Sequence, residues 1–70
     1  MQLAALGRAV RERRIALKLT QAELAEIADL EPSYVSRIES GGANVSFKTV
    51  VALARALDMR ASWLIDRANL

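Results

Sequence analysis

Ser33 and Arg37 stand four residues apart in the stretch "LEPSYVSRIESGG", Leu30 to Gly42. On a helix that spacing puts a small hydroxyl and a guanidinium on one face. Pro32 and Ser36 flank that face, while Val35 and Ile38 fall on the opposite one. A helix that only packs would more often carry Glu and Lys outside. An always-charged fork beside short hydroxyls suits recognition of anions and hydrogen-bond acceptors. More cations lie earlier: Arg8, Arg11, Arg13, Arg14 and Lys18, with Glu12 the only acid among them. Such clustering fits an anionic partner, and fits a solvated helix face as well.

Catalysis is poorly provided for. The chain has no His and no Cys. It therefore lacks the commonest general base, the commonest metal ligand and any thiolate. It has no glycine-rich phosphate loop and no serine with an evident activating base. Its carboxylates are scattered. The expectation is a protein that is not an enzyme and carries neither cofactor nor metal. No apolar run is long enough to span a membrane and no signal-peptide pattern is present, which predicts a cytoplasmic protein without membrane contact. Seventy residues with a net charge of +2 predict one domain, residues 1–70, with a modest core and no room for a separate sensing domain.

The elements that must position these side chains are read from periodicity. Leu3, Leu6, Val10 and Leu17 form an apolar stripe, which predicts a helix from Leu3 to about Leu17. A second helix begins at "TQAE", where Thr20 and Glu23 have the spacing of a capping box. Leu24, Ala25 and Ala28 are its inner face. A third starts at Pro32, suited to a first helical position, and is closed by Gly41 and Gly42. Ser46 caps a fourth, in which Val50, Leu53, Ala54 and Leu57 repeat at i, i+3, i+4, i+7. A short fifth runs from about Arg60 to Arg67. Only "DL", with a residue on either side, separates the second helix from the third. A turn that short forces a sharp crossing, the helix-turn-helix geometry, and lets the third helix protrude.

With the motifs in place, "LTQAELAEIADLEPSYVSRIESG" resembles the phage repressor/Cro-type (xenobiotic-response-element-like) helix-turn-helix domain. The resemblance runs from Leu6 to Leu64. It rests on "L-T-Q-x-E-L-A", "S-x-V-S-x-I-E-x-G" and "S-x-x-T-V-x-x-L-A-x-A-L" occurring in order. It implies an all-α, compact five-helix, lambda-repressor-like DNA-binding domain. It also implies a homodimer that binds a double-stranded operator and regulates transcription. Asn44 to Val50, "NVSFKTV", is similar to restriction–modification controller proteins. An antitoxin whose main partner is another protein is the alternative. RNA polymerase or a toxin are the further partners considered.

The resemblance also implies roles, residue by residue. Pro32, Ser33 and Arg37 match positions that reach base edges, and a guanidinium can bond guanine O6 and N7 together. Gln21, Tyr34, Ser36, Asn44, Lys48 and Arg11 are the phosphate or sugar candidates, with half-buried packing an alternative for Tyr34. Arg14 and Glu39 are expected to pair as a structural bridge. Arg13 is expected to lay its stem along the core edge with its head in water. A surplus of apolar residues near the C-terminus, Met59, Trp63, Ile65 and Leu70, points to a dimer interface, with Trp63 folding back onto the fourth helix as the alternative. Departures from the family pattern are Lys18, Asp29 and Asp58 where helix-ending glycine is usual, and Glu31 where a Ser or Thr cap is usual. Strain is expected at Lys18.

Overall fold

The chain, seen in a computed structural model that describes residues 2–68, forms five helices: α1 (Leu3–Ala16), α2 (Gln21–Ala28), α3 (Pro32–Glu39), α4 (Phe47–Ala56) and α5 (Ala61–Ala68). No strand occurs among the described residues. The starts follow local chemistry. Thr20 Oγ1 accepts the Glu23 N–H at 3.0 Å, and Glu23 Oε1 accepts the Thr20 N–H at 2.8 Å. That reciprocal box opens α2. Ser46 Oγ accepts the Thr49 N–H at 3.1 Å and opens α4. Glu31 makes no side-chain cap at α3, where Pro32 takes the first position and removes one donor that would need a partner.

Four helices end alike. After α3, the Gly41 N–H donates to the Ile38 carbonyl at 3.0 Å and the Gly42 N–H to the Arg37 carbonyl at 2.9 Å. That paired closure needs a left-handed residue between. Lys18, Asp29 and Asp58 occupy the same position after α1, α2 and α4, with φ of 59°, 58° and 55°. Asp tolerates this backbone; the β-carbon of Lys18 carries the greater strain. At Asp29 the motif is also the turn itself, since the Leu30 N–H returns to the Ala25 carbonyl at 2.8 Å and sends the chain sharply into α3.

The core is made by Leu6, Val10, Leu24, Val35, Ile38, Val50, Leu53, Leu57 and Leu64, all fully buried. Leu3 and Leu17 are only half-buried, and Ala5 and Ala9 complete the α1 stripe. α1 packs on α3 and α5, α2 on α3 and α4, and α4 on α5. Gly7 explains how closely α1 meets α3: a β-carbon there would lie 2.3 Å from the Ile38 carbonyl oxygen and 2.7 Å from that of Glu39. Among the described residues, no helix is long and apolar enough to cross a membrane.

Candidate nucleic-acid interface

α3 is two-sided. Val35 and Ile38 anchor it in the core, and Pro32, Ser33, Ser36 and Arg37 are exposed. The Arg37 backbone is pinned by the helix closure, its carbonyl accepting both the Gly42 N–H and, at 3.0 Å, Ser40 Oγ. The Arg37 guanidinium carbon sits 5.5 Å from the centre of the Tyr34 ring. Tyr34 is half-buried, and its hydroxyl donates to the Asn44 carbonyl at 2.8 Å. A phosphate only accepts hydrogen bonds, so a direct Tyr34–phosphate bond would first have to break this one.

Behind that face lies a charged network. Arg14 Nε donates to Glu39 Oε2 at 2.6 Å and Arg14 Nη2 to Glu39 Oε1 at 2.9 Å, a two-pronged pair. Arg14 Nη1 donates to the Leu19 carbonyl at 2.8 Å, and Gln21 Nε2 to Glu39 Oε1 at 3.1 Å. The two ionic side chains are 13% and 3% exposed. The hydrogen bond to Glu39 pushes the Arg14 guanidinium above its ordinary range; desolvation opposes this and the Glu39 charge adds to it. A raised cation lends stability at every pH below its ordinary range and loses it only in strong base, so Arg14 contributes no pH dependence near neutrality. The network ties α1, the start of α2 and the end of α3 together.

Three of the expected phosphate contacts meet beside it. Arg11, Gln21 and Ser36 line an open groove of about 270 Å³ with Arg14, Glu39 and Ser40. Gln21 opens α2, whose first N–H groups have no intrahelical acceptor and favour an anion. Ser40 was not singled out from sequence. Asn44 and Lys48 are exposed and line no part of this groove. Among the described residues no cluster of side chains suits a metal ion.

Arg13 departs from its expected place. Its head is not free in water: Nε donates to the Leu57 carbonyl at 3.0 Å and Nη2 to the Asp58 carbonyl at 3.3 Å. These carbonyls, at the cap residue of α4 and just past it, stand at the negative end of the helix dipole, where a guanidinium is favoured. The C-terminal apolar residues also differ from a bare surplus. Met59, Trp63 and Ile65 are half-buried against the core edge, and the Arg67 guanidinium carbon lies 4.4 Å from the centre of the Trp63 ring. Met59 and Trp63 line an open groove of about 450 Å³ with Arg13, Arg60, Ser62 and Asp66. Leu70 lies outside the described residues. The largest exposed apolar side chains are instead Ile15, Ile27 and Phe47, the last 66% exposed.

The helix-turn-helix family profile matches residues 10–64. The chain is 37% identical over 65 residues to an immunity repressor protein of Bacillus phage phi105, covering 93% of this chain and 45% of that protein, so it spans less than half that repressor's length. It is 35% identical over 65 residues to control protein C.SmaI of Serratia marcescens, covering 93% of this chain and 77% of that protein. The crystal structure of the restriction–modification controller protein C.AhdI from Aeromonas hydrophila superposes with a TM-score of 0.87 at 40% identity, over 89% of this chain and 94% of that one.

Proposed function

This chain belongs to the helix-turn-helix family of DNA-binding transcriptional regulators, not enzymes, and from that premise we propose that it docks α3 in the major groove of a pseudo-palindromic operator as a homodimer. The observation that carries the reading is the two-sided α3. Buried Val35 and Ile38 fix its position, so little ordering is needed on binding, and small Ser33 and Ser36 let the helix sit close to base edges. Arg37 supplies the one long fork on that face, and Pro32 and Ser33 flank it. Arg11, Gln21 and Ser36 share a groove suited to a phosphate, with Asn44 and Lys48 as further backbone contacts. The likeness to two controller proteins supports a controller-type regulator.

The test contrasts two variants on a site selected from random duplexes. Arg37→Ala is expected to cost about 1–3 kcal/mol on that site and to relax preference at one base pair per half-site. Gln21→Ala is expected to weaken selected and scrambled DNA about equally, because phosphate contacts carry no direct sequence information. Equal losses on both DNAs for Arg37→Ala would make Arg37 a backbone contact.

The dimer is proposed to form through α5 and the end of α4, with Met59, Trp63, Ile65 and Leu70. The support is the groove around Trp63 and the enrichment of Trp among binding hot spots. A symmetric pair would place two α3 helices about one DNA turn apart, roughly 34 Å. Trp63→Ala is expected to weaken self-association by about 30-fold, equivalent to a 2 kcal/mol hot spot. Sedimentation across a concentration series measures it; an unchanged dimer with intact helicity removes Trp63 from the interface.

A further inference from the structure

We propose that Tyr34 is a positioning residue for base reading: it presents the Arg37 guanidinium to the groove rather than touching DNA itself. The inference rests on the reading that Arg37 faces base edges.

Four contacts build the arrangement. The Tyr34 ring is fixed at both ends, by α3 at its Cα and by the Asn44 carbonyl at its hydroxyl, 2.8 Å away. A phenol anchored in this way is not free to swing. The Arg37 head lies 5.5 Å from the ring centre, within the range in which the negative face of the ring attracts a cation. The Arg37 backbone is fixed by Gly42 and Ser40 through its carbonyl. Root and head of the side chain are thus both held, and the rotamers between them are restricted. Among the described residues no carboxylate lies within salt-bridge distance of Arg37.

The contact leaves the reading chemistry intact. A guanidinium stacks through its flat face, while its five N–H groups point outward in the plane. A contact made through that face would consume no donor and would leave the edge free to meet guanine. Freezing this arm before binding removes an ordering cost that would otherwise fall on the complex. Removing the ring restores that cost at one base pair, whereas removing a phosphate contact acts on every sequence alike.

The experiment measures affinity for the selected duplex and for a duplex changed only at the guanine that Arg37→Ala identifies. It compares parent, Tyr34→Phe, Tyr34→Leu, Arg37→Ala and the Tyr34→Leu/Arg37→Ala pair. Tyr34→Leu is expected to reduce discrimination at that base pair by about two- to thirtyfold, the size of an exposed-to-desolvated cation–ring contact. In the double variant the two losses of discrimination do not add, because Tyr34 acts through Arg37. Tyr34→Phe keeps the ring and is expected to retain discrimination; a Tyr34→Phe variant that weakens both duplexes by one factor would mark the hydroxyl as a phosphate contact and overturn the proposal. Side-chain NMR gives a readout that needs neither DNA nor the Leu variant. Ring-current-shifted Arg37 protons are expected in the parent and in Tyr34→Phe. Unshifted Arg37 protons in the parent would overturn the proposal, as would a Tyr34→Leu variant that weakens both duplexes by one factor. An Arg37→Ala variant with unchanged base preference would overturn the base-reading assignment beneath it; relaxed Arg37→Ala with fully discriminating Tyr34→Leu overturns the positioning role alone.

Discussion

Glu39→Ala is expected to melt far below the parent, with a loss of about 3–5 kcal/mol. The Glu39 side chain is 3% exposed and accepts from Arg14 Nε, Arg14 Nη2 and Gln21 Nε2. Truncation leaves the Arg14 guanidinium, itself 13% exposed, facing an empty space with one remaining bond to the Leu19 carbonyl. An uncompensated cation in that place costs more than the pair ever contributed, since forming the pair already required stripping water from both ions. The scale decides the outcome. At roughly 0.05–0.15 kcal/mol per residue, a 70-residue chain holds a margin of about 4–10 kcal/mol. The substitution removes about 30% of it or more. Thermal unfolding followed by circular dichroism measures the shift. A second variant separates a lost charge partner from a lost packing volume: Arg14→Leu with Glu39→Leu is expected to recover most of the deficit, because a matched apolar pair leaves no buried charge. A Glu39→Ala melting temperature within error of the parent would mean that Arg14 simply turns to solvent.

What could be read from the sequence was what depends on neighbours along the chain. Thr20 and Glu23 are three residues apart, so their capping box needs no knowledge of the fold. Val35 and Ile38 likewise fall inward by helical period alone; Lys18 and Asp29, by contrast, lack the glycine that marks a helix end, and their positions stand out only through the family resemblance. Contacts made across the fold were less legible. Nothing near Arg13 in the sequence indicates that the carbonyls of Leu57 and Asp58 lie within its reach; the signal available was an arginine on the edge of an apolar stripe. Ala5 and Ala9 are buried, yet alanine is too weakly apolar to widen the predicted stripe. Phe47 follows a serine cap and precedes the helix-four repeat, so its exposure depends on how the loop before it turns. Tyr34 shows the limit most clearly. Its place on α3 was legible, but the acceptor of its hydroxyl hydrogen bond, the Asn44 carbonyl, belongs to a loop whose path periodicity does not describe.

Gly7→Ala is expected to destabilise the chain by about 2–4 kcal/mol, against the usual direction of such a change. In an ordinary helix interior the swap gains up to about 1 kcal/mol, because alanine has less freedom to lose. Here the new β-carbon would sit 2.3 Å from the Ile38 carbonyl oxygen and 2.7 Å from that of Glu39. Both are backbone atoms in the last turn of α3, so neither can rotate aside as a side chain would. Restoring an ordinary contact at 3.4 Å means opening the gap by about 1 Å (3.4 minus 2.3). That displacement separates α1 from α3, the two helices that Arg14 and Glu39 bridge at 2.6 and 2.9 Å. Overpacking and a stretched ion pair therefore arise from one movement, and their sum exceeds the propensity gain. The shared cause gives the decisive comparison. Gly7→Ala combined with Glu39→Ala should lose less than the two single losses added, because the clash has already weakened the bridge that the second change removes. Denaturant titrations of the four proteins measure this coupling. If Gly7→Ala unfolds at or above the parent midpoint, α1 slides freely on α3. The Arg14–Glu39 bridge, rather than the close approach at Gly7, then sets where α3 stands.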